Sequence, residues 1–254
     1  MIIFDEKKYA ENLLRNGYQN RKYINNDNII LVKYWKYKGF NKEKIRKKLK
    51  AFMEEYQNLF NSDIVDIKIN RAMKIGMNYD LSTGITIDIL DNEIEEINKL
   101  DKIELRKIMF ILLVVWKFRG MPKRFRLIHK DIMDLSELKI HYDTFWGYIH
   151  EIINFGLLFM RQYRNKDYYV VNFKQNGNII FQINNFTNPI DYYMQLIEPE
   201  NYKKCEECGV VIKITSNRKT YCDSCWREIE RELKRDWKRE FDKSRSLGNP
   251  TNAD

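Results

Sequence analysis

The sequence has few cysteines, no long apolar run and none of the short motifs that mark the common enzyme families. Its longest apolar run, residues 108–116, is half of the roughly 20 residues that a membrane-spanning helix needs. The first residues contain too short an apolar stretch for a signal peptide. A phosphate-binding glycine loop, a dinucleotide-binding glycine fingerprint and a zinc-protease helix motif are all missing. We therefore expect a cytoplasmic protein without membrane contact, and we expect that it is not an enzyme.

The four cysteines all lie within residues 205–225. A secreted protein with disulfides would distribute its cysteines across the fold, so the clustering indicates a reducing compartment and a metal site. Two residues separate Cys205 from Cys208 and Cys222 from Cys225. This spacing lets a tight turn point both thiolates at one ion, and two such turns complete the tetrahedron that zinc prefers. We predict a structural Zn²⁺, because no coordination position stays open; two disulfides or an iron–sulfur cluster are the alternatives.

The residues around the cysteines predict a small module that ends in a helix. Between the two pairs, residues 210–214 and 220–221 are predicted to form a hairpin, and a helix is predicted from Asp223. This arrangement resembles zinc ribbons and treble-clef knuckles. One face of the helix is apolar and comprises Trp226, Ile229, Leu233, Trp237 and Phe241. We expect this face to pack on the ribbon, on the rest of the chain or on a second copy. A homodimer or a complex with a protein partner would therefore form through this helix.

The charge balance favours anionic partners. The chain has 45 Lys and Arg against 36 Asp and Glu, a formal net charge of +9. In the cysteine module, basic side chains of the inter-cysteine turn and of the helix are predicted to contact nucleic acid. A solvated helix face, balanced by the acidic residues beside them, is the alternative. These basic residues are Arg218, Lys219, Arg227, Arg231, Lys234, Arg235, Lys238 and Arg239.

Periodicity and capping signals predict a mainly helical α+β chain. Asn41 is a predicted N-cap, and residues 103–116 are apolar on nearly every face, as in a central core helix. We expect a helical domain over 1–98, a winged-helix-like domain over 99–198, the zinc ribbon with its basic helix over 199–245, and a disordered tail over 246–254.

The middle domain owes its assignment to the order of its elements. Helices at 103–116, 128–135 and 142–154 precede strands at 157–163 and 168–173, with Gly156 at the end of the third helix. This order resembles the winged-helix family of DNA-binding domains. The resemblance implies that residues 141–150 enter the major groove and that the hairpin reaches phosphates through Arg161, Arg164 and Lys166. The face of the third helix that would contact the DNA bases carries Asp143, Thr144, Tyr148 and Glu151 and no Arg or Lys. This composition favours weak recognition of the DNA sequence or docking of a protein.

The complete layout resembles the accessory DNA-binding proteins of phages and plasmids. The resemblance implies sequence- or structure-specific DNA binding in replication initiation or transcription regulation, with RNA as an alternative ligand. One alternative function is an interaction protein whose zinc ribbon docks onto a host polymerase or another protein. Another is a metal-dependent nuclease, in which acidic side chains would hold Mg²⁺. These are Asp88, Asp91, Glu93, Glu95 and Glu96. Their negative charge is more simply explained by favourable interaction with the dipole at the start of a helix.

Overall fold

The computed structural model describes residues 2–56, 62–163, 166–186, 188–216 and 219–247, with backbone alone at 62–63 and 243–247. Ten α-helices and three two-stranded antiparallel sheets occur in these ranges. The fold is α+β and mainly helical, as the sequence predicts.

Four helices form the first part of the chain around a core of their own. Asn41 caps α3 as predicted, because its side chain accepts a hydrogen bond from the backbone N–H of Lys44 at 2.9 Å. A single cluster of buried apolar side chains joins the four helices, and the largest of them include Ile30, Leu31, Ile45, Leu49, Met53 and Ile69. The helices are α1 (Glu6–Asn16), α2 (Ile24–Tyr37), α3 (Lys42–Glu55) and α4 (Ser62–Gly76).

The second core is built around the apolar helix predicted at 103–116. This helix, α6 (Ile103–Phe118), has ten of its 16 residues buried, so other elements pack on nearly all of its faces. Before it come β1 (Ile87–Leu90) and α5 (Asp91–Asn98). Strand β1 pairs antiparallel with β4 (Ile179–Ile183), which lies about 90 residues later in the chain. The sequence showed both strands but not their pairing.

Helix α6 continues into the predicted order of helix, helix and hairpin. Gly156 ends α8 in the left-handed conformation at φ 91°, as the sequence predicts. A short extended segment precedes α7, where Phe125 exchanges two backbone hydrogen bonds with Tyr169, of 2.9 and 2.8 Å. The elements are α7 (His129–Leu135), α8 (Tyr142–Phe155), β2 (Leu158–Tyr163) and β3 (Lys166–Val171).

The C-terminal module departs from its predicted hairpin. Residues 211–213 pair with a strand that precedes the first cysteine, and not with residues 220–221. The hairpin therefore consists of β5 (Tyr202–Lys204) and β6 (Val211–Lys213), and the first cysteine pair occupies its tip. The apolar residues of β6 pack against α9 and the second core, which selects this pairing over the local one. The module begins with α9 (Ile190–Ile197) and ends with α10 (Asp223–Leu247).

The division of the chain at residue 98 remains a prediction. The first buried cluster contains residues of α1–α4, whereas β1 and α5 contribute to the second cluster together with α6–α9 and the β5–β6 hairpin. Of the predicted tail, residues 246–247 belong to α10, and 248–254 lie outside the described residues.

Candidate metal centre and nucleic-acid interface

The first cysteine pair lies in the turn between β5 and β6. The N–H of Cys205 donates to the carbonyl of Val210 at 2.8 Å, and the N–H of Gly209 donates back to the carbonyl of Cys205 at 2.9 Å. Gly209 has φ 69°, a left-handed conformation that glycine adopts without steric cost. This tight turn brings the sulfurs of Cys205 and Cys208 to the same side.

The second cysteine pair lies at the start of α10. Cys222 directly precedes the helix and Cys225 is in its first turn, with the N–H of Trp226 donating to the carbonyl of Cys222 at 2.9 Å. The positive end of a helix dipole lowers the cost of a thiolate at this position. The N–H of Cys222 also donates to the sulfur of Cys205 at 3.3 Å and so links the two pairs.

The four sulfur atoms converge on one point. All four lie within 4.8 Å of one another, and the sulfurs of Cys208 and Cys222 are 3.7 Å apart. A tetrahedral ion with bonds near 2.3 Å requires sulfur–sulfur distances of about 3.8 Å. All four cysteines are free of disulfides. The four close cysteines can therefore hold a metal ion such as zinc, and the sulfurs are close enough to surround a single ion.

The thiols have different proton affinities in the absence of an ion. Burial alone would raise the pKa of Cys205, but the backbone N–H groups of Cys208, Cys222 and Glu207 outweigh it and lower that pKa to about 6. The hydrogen bond to Cys222 raises the pKa of Cys225 far above its ordinary value. Four thiolates at this separation repel one another, so complete deprotonation requires a cation between them.

The basic residues of α10 that were predicted to contact nucleic acid are exposed, and acidic residues lie between them on the helix surface. Three of them form ion pairs with acidic residues of the same helix: Lys234 with Glu230 at 2.8 Å, Arg235 with Glu232 at 3.7 Å, and Arg239 with Asp236 at 3.3 Å. Ion pairing within the helix weakens its attraction for phosphate. Arg227, Arg231 and Lys238 are exposed too.

The inter-cysteine turn contributes less basic surface than predicted. Lys219 is only partly exposed and forms an ion pair with Asp223 at 3.8 Å. Arg218 lies outside the described residues.

The hairpin of β2 and β3 presents a basic and aromatic outer face. Arg161 lies opposite Tyr168 and Tyr163 opposite Lys166, and directly opposed residues of an antiparallel pair project to the same side. Arg161, Tyr163 and Lys166 are exposed. Tyr169 points the other way and is buried in the second core. The predicted phosphate contact at Arg164 lies outside the described residues.

Three basic residues that the sequence analysis missed lie beside this surface. They flank Phe125, which the bridge to Tyr169 places at the edge of β3, and they are exposed. The guanidinium of Arg124 lies 4.7 Å from the ring centre of Tyr163 and 5.1 Å from that of Tyr168. The basic run was visible in the sequence, but its position beside the hairpin depends on a pairing over more than 40 residues. The missed residues are Lys123, Arg124 and Arg126.

Helix α8 presents a face without basic side chains, as the sequence predicts. Asp143 and Thr144 are exposed, Tyr148 is half-buried, and Glu151 forms an ion pair with Lys102 at 2.9 Å. An acidic surface of this kind is repelled by phosphate.

The acidic residues of the nuclease alternative have structural partners. Glu93 is fully buried and pairs with Lys117 at 2.7 Å, while Asp91 accepts hydrogen bonds from the backbone and side chain of Asn178. Asp88 accepts one from Gln182 at 2.7 Å. Within the described part of the chain, the four cysteines are the only group of His, Cys, Asp or Glu side chains spaced to hold an ion.

In the described ranges, no helix combines the length and the apolar character that crossing a bilayer requires. Comparisons of the chain with protein-family models, with curated proteins and with solved structures found no match.

Proposed function

We propose that the protein binds nucleic acid, with duplex DNA as the first expectation, through the outer face of the β2–β3 hairpin. The observation that carries the proposal is the convergence of basic and aromatic side chains on one face. Guanidinium and ammonium groups attract phosphates, and aromatic rings pack on sugars or bases. The wing face, as we name it, comprises Arg124, Arg126, Arg161, Tyr163, Lys166 and Tyr168.

The arrangement of the middle elements supports a winged-helix domain as the carrier of this face. The order α6, α7, α8, β2 and β3 resembles that of the winged-helix family, and a short extended segment before α7 pairs with β3 through Phe125. Because α8 has no Lys or Arg side chain, its insertion into the major groove would lack a strong phosphate anchor. The hairpin then makes the main contact, and α8 contributes shape alone.

The cysteine module has a structural part in this proposal. Zinc held by Cys205, Cys208, Cys222 and Cys225 fixes where α10 starts and fastens it to the β5–β6 hairpin. A role in replication initiation or transcription control rests on the resemblance to phage and plasmid accessory proteins.

A salt titration of duplex binding tests the proposal. The doubly substituted variant Arg161→Ala/Lys166→Ala should bind more weakly at every sequence tested, and its log–log salt slope should fall by about one unit for each phosphate that the variant no longer neutralises. Fluorescence anisotropy with labelled duplex, single-stranded DNA and RNA gives the affinity and the preferred nucleic acid.

The matched control removes the same charge from a distant surface. Lys42→Ala/Lys47→Ala changes two exposed lysines of α3. The proposal requires this variant to keep the parent salt slope. If both pairs weaken binding equally, only the net charge matters, and if the parent protein does not bind at low salt, the wing face is not a nucleic-acid interface.

A further inference from the structure

Helix α10 extends away from the folded body. From residue 231 to residue 242 every side chain is exposed. The helix has 25 residues, which corresponds to about 37 Å of length. Isolated helices are marginally stable in water, so a projecting helix of this length is stabilised when a second element covers it.

The exposed helix carries an apolar stripe. Trp226 is 50% exposed, Leu233 59%, Trp237 66% and Phe241 46%. Trp226 stacks on Tyr221 at its base, and the rings of Trp237 and Phe241 stack at 5.3 Å, so the stripe is continuous over about 22 Å. A contiguous apolar surface of this size marks a docking surface.

The charges beside the stripe differ between its two sides. With a rotation of 100° per residue, Arg227, Lys234 and Lys238 lie along one flank. The opposite flank has Glu232, Asp236 and Glu240. Two residues break the pattern. Glu230 lies at the basic edge, where its ion pair with Lys234 holds it, and the helical position of Lys243 falls on the acidic flank.

This asymmetry distinguishes the two ways in which a pair of identical helices can pack. In a parallel pair, each flank of one helix faces the opposite flank of the other, whereas in an antiparallel pair identical flanks face each other. A parallel pair of α10 helices therefore sets basic against acidic side chains along both edges. An antiparallel pair would set like charges together along both edges and would repel.

We propose that α10 binds a second copy of this chain as a parallel two-helix pair, with both cysteine modules at the same end. Covering the two stripes removes roughly 1,000 Å² of surface from water, which is the lower limit for a specific interface. A dimer of this size is expected to dissociate in the micromolar range, at about 1–100 µM. Two wing faces on one dimer would bind a duplex more tightly than one.

Sedimentation equilibrium of the full, zinc-supplemented chain tests the proposal. The parent protein should form a dimer with a dissociation constant below about 100 µM. Leu233→Glu/Trp237→Glu should be monomeric over the same range, while circular dichroism shows that the body remains folded, because both side chains lie outside the two cores. The control Arg235→Glu, on the side of α10 opposite the stripe, should still dimerise. A parent chain that stays monomeric, or a dimer unaffected by the double substitution, overturns the proposal.

Charge reversal tests the orientation separately. Lys234→Glu/Lys238→Glu places acid against acid in a parallel pair and should weaken the dimer about tenfold or more. Adding Glu232→Lys and Asp236→Lys to that variant exchanges the two flanks and should restore the parent affinity. An antiparallel pair would not be weakened by the first change, and that result would contradict the parallel arrangement. Wing-face variants should leave the dimer unchanged, so the two proposals fail independently.

Discussion

Asp27 is a buried carboxyl group in the first core. It is 1% exposed, and the phenol of Tyr9 donates a hydrogen bond to it at 2.7 Å. Burial raises the pKa of Asp27 from 3.8 to about 6, although the hydrogen bond from Tyr9 acts in the opposite direction. The folded protein therefore binds a proton at Asp27 more strongly than the unfolded chain does. Its contribution to stability is complete below about pH 4 and disappears as the pH rises through about 6.

Asp27→Asn should remove this pH dependence. The amide oxygen still accepts the hydrogen bond from Tyr9, but it does not have to be ionised at neutral pH. Relative to the variant, the parent should lose about 2–3 kcal/mol of unfolding free energy between about pH 4 and about pH 7. Urea unfolding of both proteins at several pH values measures the difference, in which contributions from other groups cancel. Parallel curves for the two proteins would contradict the assignment to Asp27.

Glu93 is a buried acid of the second core and connects three elements. Besides its ion pair with Lys117, it accepts hydrogen bonds at 2.9 Å from the backbone N–H of Leu90 and from the side chain of Gln175. Glu93 thus satisfies the turn from β1 into α5 and neutralises a lysine that is itself nearly buried. This structural role accounts for its position in the acidic run.

Glu93→Ala should destabilise the protein by about 3–5 kcal/mol, because it leaves the nearly buried charge of Lys117 without a counter-ion. The control is Glu96→Ala, which removes a partly exposed acid of the same helix, paired with Lys99 just beyond the helix end, and should cost less than about 1 kcal/mol. Denaturant unfolding gives both values. Equal effects of the two substitutions would show that burial of the pair is not the cause.

Among the secondary-structure elements, we expect those of the cysteine module to depend on a bound metal ion for their stability. The β5–β6 hairpin is short, and beyond α9 the buried contacts of the module with the second core are Tyr202, Cys205, Val210, Val211 and Ile212. Metal binding by four thiolates supplies on the order of 10 kcal/mol to such a module. The remaining helices have cores of their own and do not require the ion.

Removal of the metal should therefore unfold the module and leave the rest of the protein intact. We expect one zinc per chain by elemental analysis, and a strong chelator should reduce the helical signal in circular dichroism by the share that α10 contributes. Cys222→Ser should reproduce this reduction, whereas Ser224→Ala, at the same helix start, should retain the ion. A protein with no bound metal and an unchanged spectrum after chelation would contradict the prediction.

Elements with a local cause were predicted well. The N-cap at Asn41 and the helix end at Gly156 depend on one residue and its immediate neighbours. The buried helix α6 follows from its own apolar composition. The hairpin of residues 210–221 was wrong because residues 211–213 have an alternative partner, β5, next to the second core. The pairing partner of a short strand depends on the elements that pack against it, and the neighbouring residues in the sequence do not identify those elements.

Across the molecule as a whole, two distant pairings build the surfaces that matter. The pairing of β1 with β4 places Asp88, the first of the acidic residues at 88–96, in a sheet that packs on the second core. The bridge from Phe125 to Tyr169 brings Arg124 and Arg126 beside the hairpin. Neither pairing follows from periodicity, because periodicity describes only one element at a time.

The four-cysteine cluster and the amphipathic character of α10 could be read directly from the residues. Both are encoded by short spacings along the chain, where the chemistry of a turn or a helix fixes which side chains share one side. Only the tertiary structure decides which basic residues lie together and which apolar face stays exposed. The wing face unites segments more than 30 residues apart, and the stripe of α10 remains exposed because the two cores are complete without it. Such outcomes depend on the packing of all elements together, and local spacing does not contain them.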